Sequence, residues 1–127
     1  MPEFLTELDV VCVSDGCWKL DAPLEYRSDI AGFISVPAGF MTDFASVPRV
    51  PVFFTLFGDR AHREAVLHDY MYSLGSLPSV ERRTADEVFL EAMAERGKGF
   101  FTRYAMYYGV RLAGWTAWRK KSVFEKL

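Results

Sequence analysis

Cysteine is scarce in this chain. Cys12 and Cys17 are the two copies, and two cysteines do not build the disulfide framework of a small secreted scaffold. They read as free thiols of a reducing compartment, with a single clip across a hairpin as the alternative. No H-E-x-x-H, paired C-x-x-C or P-loop string is present, so zinc and nucleotide chemistry lack their usual scaffolding. Long apolar runs are missing as well. The most aromatic stretch, 100–118, is broken by Arg103 and Arg111, which excludes a spanning helix. The opening MPEFLTEL has neither the basic nor the apolar region of a secretory signal. The expectation is a protein kept in the cytosol of the cell that makes it, or released by a route that needs no signal.

What is present is a core. Half of the 127 residues are apolar and 16% are aromatic, enough for one domain over 1–127 without staples. The net charge of −2 conceals a polarity. Residues 1–59 carry three basic and nine acidic side chains, whereas 96–127 carry eight basic and one acidic. A basic, aromatic C-terminal end suits an anionic partner or a protein-docking face. No named nucleic-acid motif accompanies it, so nucleic acid is not the expected partner.

Periodicity divides the chain into a β-rich part (1–40), a structured loop (41–59) and three helices (60–120). VVCV (10–13) and CWKL (17–20) flank the turn Ser14-Asp15-Gly16, a hairpin signal; PLEYRS (23–28) and GFISVP (32–37) flank a second polar turn. The loop PAGFMTDFASVPRVP (37–51) is long for a compact domain, and such loops are often functional. Helices are expected at 60–74, ended by Gly75, at 79–96 with Ser79 as N-cap, and at 100–120. The class is α+β, a small antiparallel meander followed by helices.

Two helical stretches carry the chemistry. In HDYMY (68–72) and the residues before it, Ala65, His68, Asp69 and Tyr72 share one helix face; in RRTADEVF (82–89) and beyond, Arg82, Asp86, Phe89 and Met93 share another. A short connection makes the helices antiparallel neighbours, so the polar clusters meet at an otherwise apolar seam. Burying them there costs several kcal/mol unless they satisfy one another. They do so if Asp86 accepts from one nitrogen of His68 and from the Tyr72 hydroxyl. The other imidazole nitrogen is then a proton acceptor, as in the orienter–base pair of hydrolysis. Asp69 points about 100° around the helix, where it could hold a cation beside the base.

H-D-x-x-Y on one helix followed by D-x-x-F on the next resembles the catalytic core of secreted-type phospholipases A2, over roughly residues 65–93. That resemblance implies His68 as general base, Asp86 as its orienter with Tyr72 in support, and Asp69 at a Ca²⁺. The chain departs from that family in lacking its glycine-rich calcium loop and its disulfides. Loop carbonyls from 39–48, with Asp43, would have to complete the metal shell. A wider resemblance runs from Tyr26 through VPAGFMTDFASVPR (36–49), AVLHDYMY (65–72) and RRTADEVFLEAM (82–93). It is similar to an uncharacterised family of small tailed-phage and prophage proteins, with strings G-F-x-T-D-x-A-S-x-P, H-D-x-x-Y and R-x-x-A-D-x-x-F. It implies a phage or prophage origin, with a setting in the host cytoplasm or the virion and phage structural proteins as partners; an anionic lipid surface is the partner that the basic, aromatic C-terminal helix suits.

Alternatives stay open at each point. Thr42, Asp43 and Ser46 line up as ligand or oxyanion groups opposite His68, with Ser46 as nucleophile or as the cap of a short helix. Arg82 is expected to pair with Asp86 or Asp69. The whole cluster also reads as a buried structural network in a virion component, or in an inhibitor or adaptor of a host protein. His62 is expected to be exposed. On the third helix, Phe101, Tyr104, Tyr108, Leu112 and Trp115 read as a core stripe, beside a face of Phe100, Arg103, Tyr107, Arg111 and Trp118. The run from Arg119 to Lys121 reads as a solvated helix end.

Overall fold

The computed structural model describes residues 2–14, 17–42, 63–97, 99–116, 118, 119 and 123. Among these residues six strands precede three helices: β1 (Glu3–Phe4), β2 (Val10–Ser14), β3 (Cys17–Leu20), β4 (Leu24–Ser28), β5 (Gly32–Val36), β6 (Met41–Thr42), α1 (Arg63–Tyr72), α2 (Arg82–Glu95) and α3 (Phe100–Ala113), the last continuing into a 3-10 turn, Gly114–Thr116. The class is α+β, as the periodicity indicates. The strands do not form one meander. They form two antiparallel sheets of three, ordered β1-β4-β5 and β2-β3-β6. In the second sheet Cys12 stands opposite Trp18, and Cys17 opposite Ser14, so the cysteines are not cross-strand partners.

Period-two alternation gives the first sheet its inner face. Leu24, Tyr26, Ile34 and Val36 are buried, with Leu24 paired to Val36 and Tyr26 to Ile34. Against this face lie Val66, Leu67 and Met71 of α1 and Ala85 and Val88 of α2. A second apolar cluster under α3 joins Ala65, Phe89, Met93, Met106 and Val110. The Tyr26 hydroxyl donates to Glu91 Oε1 at 2.7 Å, and the Asp29 amide to Oε2 at 3.1 Å, tying sheet to α2.

Helix α1 is the centre of the molecule, buried from Glu64 to Tyr72. An all-round buried helix is normally apolar. This one carries Glu64, His68 and Asp69 inside, so those groups need partners from neighbouring elements. The helix is also shorter than expected at its C-terminal end, stopping at Tyr72. Its terminal carbonyls are satisfied from the far end of the chain. The Arg119 amide donates to the Tyr72 carbonyl at 2.8 Å and its Nη1 to the Ser73 carbonyl at 2.7 Å. Arg119 is therefore a cation at the C-terminus of α1 and not a solvated end of α3. The connection to α2 runs over 73–81, and Glu81, not Ser79, is the N-cap.

The third helix is turned from the expected orientation. Phe101, Tyr108, Leu112 and Trp115 are exposed, and Met106 and Val110 are buried instead. Spacing identifies which residues share a face; it does not say which face meets the core.

Candidate functional site

The seam between α1 and α2 runs antiparallel: Glu64 lies near Arg96, His68 meets Phe89 and Asp86, and Tyr72 meets Asp86. His68 and Asp86 are fully buried. Asp86 Oδ1 lies 2.8 Å from His68 Nε2 and accepts the Tyr72 hydroxyl at 2.5 Å. The two bonds that the spacing predicts are both present. The imidazole is held between two rings, with centroids 4.2 Å from Tyr72 and 4.5 Å from Phe89.

The other carboxylate oxygen belongs to a residue that helical spacing does not reveal. Arg111 Nη1 of α3 donates to Asp86 Oδ2 at 2.9 Å. Arg82 forms the ion pair with Asp86 that the spacing predicts, 3.6 Å from the same oxygen and so without a hydrogen bond to it. Its guanidinium donates to the carbonyls of Val110 and Arg111, at 3.1 and 3.3 Å. Arg82 caps α3, whose last carbonyls would otherwise lack donors, and Arg111 holds the carboxylate. Burial alone would raise the Asp86 carboxyl. The bond and charge of His68, with the bonds from Tyr72 and Arg111, reverse that and hold it below the ordinary aspartate value. With Asp86 ionised, the carboxylate accepts, so His68 Nε2 carries the proton in this bond. Desolvation, and then the Asp86 bond and charge, push the Tyr72 phenol well above its usual value.

A close backbone approach makes room for the Tyr72 bond. A Cβ at Gly114 would lie 2.4 Å from the Tyr72 hydroxyl oxygen and 3.2 Å from Arg82 Nη1. The backbone of Gly114 is ordinary right-handed helix, so the glycine is required here for space, not for conformation. Trp118 closes the same corner, edge-on to Tyr72 at 5.0 Å.

Asp69 turns away from this cluster toward the sheet. Its Oδ2 accepts the hydroxyl of Thr42, at the end of β6, and both residues are buried. Thr42 therefore meets Asp69, the chain neighbour of His68. Calcium takes six to eight oxygens. Among the described residues no group of three or more His, Cys, Asp or Glu could hold a metal ion. Asp69 and the Thr42 hydroxyl are two adjacent oxygens of the expected shell, and the ligands expected from Asp43 and the carbonyls of 43–48 lie outside the described residues. Asp43, Ser46 and His62 lie outside the described residues.

A family signature covers most of this framework. The sequence model of DUF1353, described as a protein of unknown function, matches residues 18–110. The chain belongs to the DUF1353 family. No curated protein and no solved structure matches it. The DUF1353 match takes in Thr42, His68, Asp69, Tyr72, Arg82 and Asp86. It stops one residue before Arg111, so the third arm of the Asp86 network comes from the segment just beyond.

Proposed function

We propose that this DUF1353 protein is a hydrolase in which His68 is the general base and Asp86 its positioning residue, acting on an ester. The observation that carries the reading is the double acceptance at Asp86 Oδ1, from His68 Nε2 and the Tyr72 hydroxyl. On this reading Nε2 keeps its proton toward the carboxylate, and Nδ1 is the nitrogen that takes one up. In the step it supports, Nδ1 takes a proton from water as the water oxygen attacks the ester carbonyl carbon. The imidazolium, stabilised by Asp86, then returns the proton to the departing alkoxide, leaving acid and alcohol. The resemblance to phospholipases A2 favours a phospholipid as the ester, and the phage-type motif strings favour a role during infection. No step here passes through a metal.

A second reading is a non-catalytic assembly component. Its specific support is that Asp86 receives bonds from α1 and α3 while sitting in α2. A carboxylate so placed fixes the register of three helices without any reaction.

The deciding experiment is a hydrolysis assay on phosphatidylglycerol mixed micelles and on a p-nitrophenyl ester. It is run with calcium and with chelator, for wild type and His68→Gln. The hydrolase reading expects a wild-type turnover that falls by about 100-fold or more in a variant with an unchanged circular dichroism spectrum. Absence of turnover in folded wild type on both substrates, or equal turnover in the variant, overturns it.

A further inference from the structure

Helix α3 presents a second apolar seam to solvent. Phe101, Tyr108, Leu112 and Trp115 are exposed by 87, 58, 79 and 66%, and Ala105 is exposed between them. The steps from 101 to 105, 108, 112 and 115 alternate four and three. That is the spacing of a helix–helix seam, in which knobs of one helix enter holes of another. The opposite side of α3 is the buried one, with Met106 and Val110, so the helix is apolar on two faces and, among the described residues, only one of them is covered. The outer face is a continuous aromatic surface: Phe100 stacks on Phe101 and Tyr104, and Tyr104 on Tyr108, with centroids 4.7–6.3 Å apart.

We propose that this face is the dimer interface of the protein, covered by α3 of a second copy in antiparallel orientation. Three observations select that occupant. First, the seam is self-complementary about its middle. Tyr108 is midway between Phe101 and Trp115, so a two-fold axis at Tyr108 sets Phe101 of each copy against Trp115 of the other, as an isologous contact requires. Second, the stretch 100–116 has no acidic residue and no lysine. Its two arginines do not oppose pairing: Arg111 is bound to Asp86 and the Arg103 guanidinium lies over the rings of Phe100 and Tyr104. Within 100–116, then, neither arginine is a free cation of the kind an anionic lipid surface calls for. Third, the area suffices. At about 150–250 Å² per large aromatic side chain, the exposed fractions amount to on the order of 600 Å² a copy. Flanking residues bring this toward the roughly 800 Å² per partner of a standard interface.

The dimer does not depend on the hydrolase reading, and it is tested on the full chain without any substrate. Sedimentation velocity over a concentration series is run for wild type, Leu112→Glu and Phe101→Glu, with anionic phosphatidylglycerol vesicles as a parallel arm. Both side chains are exposed, so the variants keep the fold, checked by circular dichroism. The expected result is a wild-type dimer of twice the 14.5 kDa chain and a dissociation constant raised by at least about 100-fold in either variant. A wild type that stays monomeric up to about 100 μM, a concentration far above what an interface of this size needs, overturns the proposal. So does a dimer that neither variant weakens, or a monomer that binds the vesicles through Phe101 and Leu112.

Discussion

Gly114 and Tyr72 define one another's place. The phenol oxygen occupies the volume that any side chain at 114 would need, with 2.4 Å between it and a Cβ built there. Because the same hydroxyl donates to Asp86, a methyl group in the turn after α3 is felt at the buried carboxylate in α2. Gly114→Ala is expected to destabilise the protein by about 1–3 kcal/mol, the usual cost of overpacking. Urea denaturation measures it. Tyr72→Phe removes the atom that clashes, so Gly114→Ala should cost less in that background. Equal costs in both backgrounds would mean that the glycine serves something other than the phenol.

The acid side of the stability curve belongs in part to Asp86. Its folded-state value is held below the ordinary aspartate value of 3.8, so the unfolded chain binds the proton more readily. The stabilisation is present above about pH 4 and is lost as pH falls through the folded-state value. Wild type should weaken steeply below that pH. Asp86→Asn should be less stable at neutrality but flatter in acid. Denaturant midpoints from pH 2.5 to 7 test this, and parallel curves for the two proteins would sink it.

How much of this was legible beforehand differs from residue to residue. The bonds from His68 and Tyr72 to Asp86 could be read because i to i+4 spacing fixes a helix face, and a short connection brings two such faces together. Arg111 could not be read. It reaches Asp86 from a third helix, 25 residues along the chain, and the roll of α3 about its axis is set by packing. That same roll turned Leu112 and Trp115, expected in the core, out to solvent, and put Met106 and Val110 in their place. The capping roles of Arg82 and Arg119 were hidden for a related reason. Arg82 serves a helix other than its own and Arg119 serves α1 from a turn, and no local pattern marks a cap delivered from elsewhere. The split into two sheets is not legible in the sequence, because alternation gives strand faces but not strand order.

Arg111 should matter more than its partial exposure suggests, because its partner is fully buried. Arg111→Leu removes a charged bond from Asp86 Oδ2 and leaves that oxygen facing Arg82 at 3.6 Å. A cost of about 2 kcal/mol is expected, as for hydrogen bonds to charged groups. The loss also raises the Asp86 carboxyl, so the acid limb moves to higher pH than in wild type. Thermal unfolding at pH 7 and pH 4 reads both effects. A variant that loses stability equally at the two pH values would show that Arg111 acts through packing alone.

The end of α1 offers the last test, because its cap comes from the far end of the chain. Arg119 binds the Tyr72 and Ser73 carbonyls and reaches the Val80 carbonyl at 3.1 Å. Its guanidinium also lies over Trp118, 4.3 Å from the ring centre. Arg119→Ala keeps the backbone bond to Tyr72 but removes the charge from a helix terminus that has no basic residue of its own. A loss of about 1 kcal/mol is expected, within the range for a cation at a partly buried helix end. Hydrogen exchange should localise it. Amides of 70–76 should exchange faster in the variant, while those at the start of α1 keep their wild-type rates. Because Tyr72 is the last residue of that helix, such fraying would loosen the phenol that braces Asp86. If exchange instead rises uniformly through α1 and α2, Arg119 stabilises the fold as a whole and the local capping role is wrong.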